Sequence, residues 1–250
     1  MSESPRVYLL FGIPGSERRA TLCDLIENGL EKKTPALYFK PAGEPEDPYD
    51  SEISALENLQ TVEWELHGNK VQHPRIEAPA EAVFFLVPGS ADPADAAEAI
   101  KSWADTNACQ IARCLTLIHC DFLQANPAAL SWFEACIHFS DFVLLARREN
   151  TAPKWIKEFQ SQFNKAHTPC RLELIKKGRP PNPREILEPE ARRLSLFFDE
   201  LIPIEEDEFE DALPEDRKPD KYIERLESGR RACPIPDIRK WLNPQLTKPQ

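Results

Sequence analysis

The feature that most constrains this chain is a short apolar run, Val7-Tyr8-Leu9-Leu10-Phe11, opening directly into Gly12-Ile13-Pro14-Gly15-Ser16-Glu17-Arg18-Arg19 and then a helical stretch. A buried strand, a glycine-bearing loop and a helix, in that order, are the setting of a phosphate-binding loop. The pattern G-x-x-x-x-G-K-[ST] asks for Gly at position 17, Lys at 18 and Ser or Thr at 19. This chain has Glu17, Arg18 and Arg19 instead. A second segment, Pro88-Gly89-Ser90-Ala91-Asp92-Pro93, follows another apolar strand, Ala82 to Val87. The layout is that of a nucleotide-switch fold whose chemical groups have been replaced.

Further apolar runs of strand length are Ala36 to Lys40, Cys114 to Ile118, Phe142 to Ala146 and Arg171 to Ile175. Several are apolar on both faces, as in a sheet covered from both sides. Thr61 to Leu66 and Lys70 to Val71 flank His67-Gly68-Asn69 and predict a hairpin. Asp92-Pro93, Asn126-Pro127 and Asn182-Pro183 each place a capping side chain before a proline at a helix start, and Glu185 adds a capping-box partner for Asn182. Leu130, Phe133 and Ile137 share one helical face, as do Ile156, Phe159 and Phe163. Alternating strands and helices predict an α/β fold of three layers, a mostly parallel sheet with helices on both faces. Ligands of such sheets bind beyond the carboxyl ends of the strands, where the loops after Phe11 and Val87 belong.

Residues 1–198 are assigned to this domain and 199–250 to an irregular extension, acidic over Glu205 to Asp211 and rich in proline. Tyr222 to Leu226 is expected to form a short helix, and Trp241 and Leu242 are candidate anchors for a partner protein. The net charge of -11 argues against nucleic acid or an anionic membrane as partner. No apolar run approaches the roughly 20 residues of a membrane span. A cytoplasmic protein is expected. The seven cysteines include no C-x-x-C pair and read as reduced, buried thiols.

The two rim segments resemble the CobW/HypB/UreG group of P-loop GTPases, CobW-like proteins most of all. There the first strand runs into G-x-x-G-x-G-K-T-T-L-L; the ungapped counterpart here is Gly12 to Leu22. The group's E-T-x-G-L-A-D-P is matched by Leu86-Val87-Pro88-Gly89-Ser90-Ala91-Asp92-Pro93. Its I-T-V-V-D-A strand is matched by Leu115 to Cys120, and its A-D-x-I-L-L-N-K-x-D strand by Ser140 to Glu149. The resemblance covers roughly residues 5 to 180. It implies a P-loop NTPase-like fold, with GTP or GDP as ligand and a nucleotide site at Gly12, Gly15, Ser16, Glu17, Arg18, Arg19, Gly89, Arg147 and Glu149.

The departures from the group fall on its chemistry. Glu17 replaces the third glycine and adds a negative charge. Arg18 keeps the charge of the lysine in a wider, planar head. Arg19 lacks the hydroxyl that holds Mg²⁺, and Leu86 replaces the strand acid. The guanine-reading Asn and Asp are Ala146 and Glu149. The group's C-x-C-C metal motif has no counterpart between Glu44 and Ala80. The expectation is a pseudo-GTPase serving as a binding or scaffold module for another protein, through the extension. The alternative is an active GTP-dependent metallochaperone or cofactor-assembly protein. His119, Cys120 and Asp121 are the cluster to inspect for metal. No catalytic residue is assigned.

Overall fold

The computed structural model of the chain describes residues 4–73, 79–199 and 219–242. The acidic run Glu205 to Asp211 lies outside them. Eight strands form one sheet, in the order β4-β3-β2-β5-β1-β6-β7-β8. They are β1 (Arg6–Phe11), β2 (Ala36–Pro41), β3 (Leu59–His67), β4 (Lys70–Gln72), β5 (Ala82–Leu86), β6 (Gln110–His119), β7 (Phe142–Ala146) and β8 (Arg171–Leu174). All neighbours are parallel except β3 and β4, which form the expected hairpin. This is the three-layer α/β fold, a mostly parallel sheet with helices on both faces, that the alternating pattern called for.

Strand periodicity divides the core in two, because successive side chains of a strand point to opposite faces. Val7, Leu9, Phe11, Val83, Phe85, Val143 and Leu145 face one way. They pack under α3 (Pro93–Thr106), α4 (Cys120–Ala125), α5 (Leu130–His138) and α6 (Pro153–Lys165). Tyr8, Leu10, Phe84, Leu86, Phe142 and Leu144 face the other way. Over them lie α1 (Arg18–Asp24), its single π turn Leu25–Gly29, α2 (Tyr49–Ser54) and α7 (Pro183–Leu187). At the centre of the first face Phe39 stacks on Phe85 at 4.1 Å, with Trp64 and Trp103 edge-on to Phe85. Each such ring contributes about 2–3 kcal/mol on leaving water.

Two helix starts follow the sequence. Asp92 accepts from Ala94 N at 2.8 Å and from Asp95 N at 3.2 Å, and Asn182 accepts from Glu185 N at 3.4 Å. Asn126 does not cap: its amide donates back to Phe122 O at 3.0 Å, and a 3₁₀ turn, Pro127–Ala129, precedes α5. Tyr222 to Leu226 is not helical either. Arg225 instead bridges to Arg231, and among the described residues of the extension a helical turn lies at Ile238–Lys240, where Asp237 caps Arg239 N.

Residues 219–242 lie against α3 and α5. Asp220 takes His138 Nε2 at 2.8 Å and Ser195 Oγ at 2.6 Å. Arg231 pairs with Asp95 and Glu98, and Arg225 with Glu98. Tyr222, Ile238 and Leu242 join the first core face and Trp241 packs against it. The two candidate partner anchors are therefore engaged by this chain's own core.

Candidate functional site

The carboxyl ends of β1, β5, β6 and β7 open onto one rim, as parallel pairing requires. Gly12 leaves β1 at φ 136°, and a Cβ on it would meet Leu117 O at 2.7 Å. Only glycine passes here. Gly15, at φ 79°, turns the loop in open space. The Ser16 hydroxyl donates to Ile13 O at 2.7 Å, so it closes the loop on itself.

Glu17 takes a left-handed conformation, φ 65° and ψ 20°, where a side chain costs about 1–2 kcal/mol. Part of that is offset across the rim, where its carboxylate accepts from Gly178 N at 2.9 Å. Gly178 is held close to α1: a Cβ on it would come within 2.3 Å of Ala20 Cβ.

Arg18 and Arg19 open α1, and both are buried, at 4% exposure. Arg18 Nη1 donates to Val87 O at 2.6 Å; its Nη2 donates to both oxygens of Glu44 at 2.9 Å. Gly89 N donates to Glu44 Oε1 at 2.7 Å. Gly89 is also packed hard on the loop, since a Cβ on it would stand 2.5 Å from Pro14 Cδ. Arg19 is not the outward, solvated residue its place on the helix allowed. Its Nη1 donates to Pro45 O at 2.7 Å and to Asp50 Oδ2 at 3.0 Å, and Lys40 reaches the same Asp50 oxygen at 3.2 Å. Arg19 Nη2 is 3.5 Å from Glu44 Oε2, is sealed from solvent, and makes no hydrogen bond.

Glu44 is thus the residue on which the phosphate loop and the Gly89 segment converge. Reading the sequence missed it. The acids and prolines between Glu44 and Asp50 read as loop, and no motif marks one carboxylate among them.

The remaining site residues stand apart. Arg147, left-handed at φ 47°, and Glu149 are exposed beyond β7. Among the described residues no hydrogen bond or ion pair joins them to residues 12–19 or to Gly89. Their loop is pinned by Asp121, which accepts from Asn150 N at 3.1 Å and from the Thr151 hydroxyl.

His119, Cys120 and Asp121 do not converge. His119 Nδ1 accepts from Phe122 N at 3.2 Å, the Cys120 thiol points to Ile118 O, and Asp121 is committed to the loop after β7. Burial, with Arg147 adding, lowers the His119 pKa, and burial pushes the Cys120 thiol up to about 12. Among the described residues no group of three or more His, Cys, Asp or Glu is placed to hold a metal ion.

His138, Asp220 and Ser195 look superficially like a catalytic triad. Both His138 and Ser195 bind the carboxylate, so the serine has no base and is fully buried.

No protein-family model and no curated protein matches the chain. Among solved structures, the Zn(II)-bound YjiA GTPase from E. coli is similar, with a TM-score of 0.42 at 12% identity over 76% of this chain and 67% of that chain. A Zn(II)-bound triple mutant of YjiA GTPase gives the same TM-score and coverage at 10% identity.

The residues present do not fit a magnesium nucleotide. The hydroxyl position is Arg19, and Leu86, where the resemblance calls for an acid, is buried in the second core face. Its backbone oxygen accepts from Trp64 Nε1 at 3.2 Å. The cation at the lysine position already holds a carboxylate.

Proposed function

We propose that this chain is a nucleotide-switch fold that no longer turns over nucleotide and serves as a scaffold for another protein. One observation carries the reading: Arg18, at the position of the phosphate-binding lysine, is buried and already bound to Val87 O and Glu44. Phosphoryl transfer depends on a loop cation and a metal that stabilise developing charge. Here the loop cation faces an internal anion, and the metal-binding hydroxyl is a second guanidinium. The acidic run Glu205 to Asp211 carries the charge to attract a basic protein partner.

The reading is tested by calorimetry with GTP, GDP and ATP, with and without Mg²⁺, on wild type and Arg18→Ala, together with phosphate release. Absence of heat at millimolar nucleotide and hydrolysis at the buffer rate are expected. Micromolar guanine-nucleotide binding that collapses in Arg18→Ala, with Mg²⁺-dependent phosphate release, would overturn it. A metal-handling role needs convergent ligands, and the separate commitments of His119, Cys120 and Asp121 do not supply them.

A further inference from the structure

We infer that Glu44 is an internal ligand sitting in an oxyanion site of its own chain, and that its loop, residues 42–48, is a displaceable strap over that site. The inference rests on the scaffold reading above and concerns how the same rim is held shut. Two donors already converge on the Glu44 carboxylate, Arg18 Nη2 at 2.9 Å and Gly89 N at 2.7 Å, and Arg19 Nη2 stands 3.5 Å from it without a hydrogen bond. They come from the start of α1 and the segment after β5, and the acceptor comes from a third element, the loop after β2. Elements distant in sequence therefore meet on this anion, and Arg18 Nη1 also joins α1 directly to Val87 O.

A carboxylate fills the site incompletely. Arg19 Nη2 and the Tyr38 hydroxyl are both sealed from solvent without a hydrogen bond. Burial is the main cause that raises the Tyr38 pKa, and the charges acting on its hydroxyl are those of Arg19, Asp50, Glu44 and Arg18. Arg19 Nη2, 3.5 Å from Glu44 Oε2, is the orphaned donor placed at this site. Buried donors without acceptors are rare because each forfeits its hydration. A carboxylate offers two oxygens in a plane; a tetrahedral oxyanion offers a third and a fourth to such donors.

Charge points the same way. The cluster holds Arg18, Arg19 and Lys40 against Glu44 and Asp50. Withdrawing Glu44 leaves three cations facing one carboxylate, a balance that suits a phosphate dianion. Glu44 is the movable member. Its side chain is 11% exposed, on a loop between β2 and α2, whereas both arginines are rooted in a helix. The structure therefore assigns Glu44 the place of a bound phosphate, with the strap closed by the chain's own acid.

The test is calorimetric titration of full-length wild type, Glu44→Ala and the double variant Glu44→Ala with Arg18→Ala, using inorganic phosphate, pyrophosphate and GDP without metal. Hydrogen exchange of the 41–50 backbone and Gly89 N–H is followed alongside. Removing one opposing carboxylate from two guanidiniums is expected to tighten phosphate binding at least about tenfold over wild type. The gain should vanish in the double variant. Exchange at 41–50 and at Gly89 should rise in Glu44→Ala, and Gly89 should be protected again by phosphate.

Equal gain for phosphate and GDP would identify the phosphate group alone as the ligand; a larger gain for GDP would identify a nucleotide. If Glu44→Ala fails to fold, Glu44→Gln keeps the shape and removes the charge, and a smaller gain of the same kind is expected. Unchanged phosphate affinity in a folded Glu44 variant, with residues 41–50 still protected, would overturn the inference and leave the scaffold reading intact. GTP turnover by wild type would overturn the scaffold reading by itself.

Discussion

Two carboxylates in this fold are each clasped by arginine, at opposite ends of the sheet, and they are built differently. Asp141 stands immediately before β7 and is fully buried. It accepts from Arg192 N at 2.6 Å, Cys114 N at 2.7 Å and Arg193 Nη1 at 3.0 Å. Arg113 Nε and Nη1, Arg192 Nε and Arg193 Nε make no hydrogen bond there, while Arg113 lies 5.1 Å from the Phe142 centroid and Arg193 lies 5.3 Å from that of Phe198. Glu44 stands on a loop, takes one backbone N–H, and leaves Arg19 Nη2 without a hydrogen bond. Asp141 is tied into the strand ladder through Cys114 N and is fully buried. Glu44 is tied through a loop and holds one backbone N–H. Opposite charges at short distance describe both; the elements that carry them separate a structural staple from an exchangeable ligand.

The sharpest way to break this comparison is to remove each carboxylate in turn. Asp141→Ala leaves two buried backbone donors and Arg193 without their acceptor, and should cost about 3–5 kcal/mol in urea unfolding. Glu44→Ala should cost about 1–2 kcal/mol, because Arg18 keeps Val87 O and the loop relaxes into water. Equal losses at the two sites would erase the distinction.

A third carboxylate sharpens it. Burial opposes ionisation of Asp220, but the hydrogen bonds from His138 and Ser195 and the charge of His138 outweigh burial and depress its pKa. Its contribution is therefore present above the ordinary carboxylate value of about 3.9, and is lost as pH falls through the lower folded-state value. Asp220→Asn should flatten the acid limb of stability against pH below about pH 4. An acid limb identical to that of wild type would show that this contact does not hold residues 219–242 on α5.

The smallest effect is expected at the exposed charges beyond β7. Arg147→Ala and Glu149→Ala should each change stability by less than about 0.5 kcal/mol. Neither should alter phosphate binding by Glu44→Ala. A loss of that binding would mean that the loop after β7 reaches the Glu44 site in solution.

Most of the layout was legible residue by residue. The Val7 to Phe11 run, the double-faced strands after it and the Asp92-Pro93 cap are local signals, and local signals survive into the fold because neighbours in sequence decide them. The loop substitutions at Glu17, Arg18 and Arg19 were legible as departures from a phosphate loop, yet what became of them was not. Charge and helix position allowed Arg19 to face solvent, whereas burial under the loop between β2 and α2 gave it Pro45 O and Asp50. Trp241 and Leu242 looked like anchors for another protein, but the first core face had room for them.

By itself, then, the sequence determined a strand-loop-helix start, a parallel sheet covered on both faces and a glycine-bearing loop that departs from the phosphate-loop pattern at Glu17, Arg18 and Arg19. Only the tertiary structure decided that Glu44, 26 residues beyond Arg18, closes that loop as its anion. The physical reason is that hydrophobic periodicity is written along the chain. The pairing of a buried charge is settled by whichever distant segment the fold brings within about 3 Å of it.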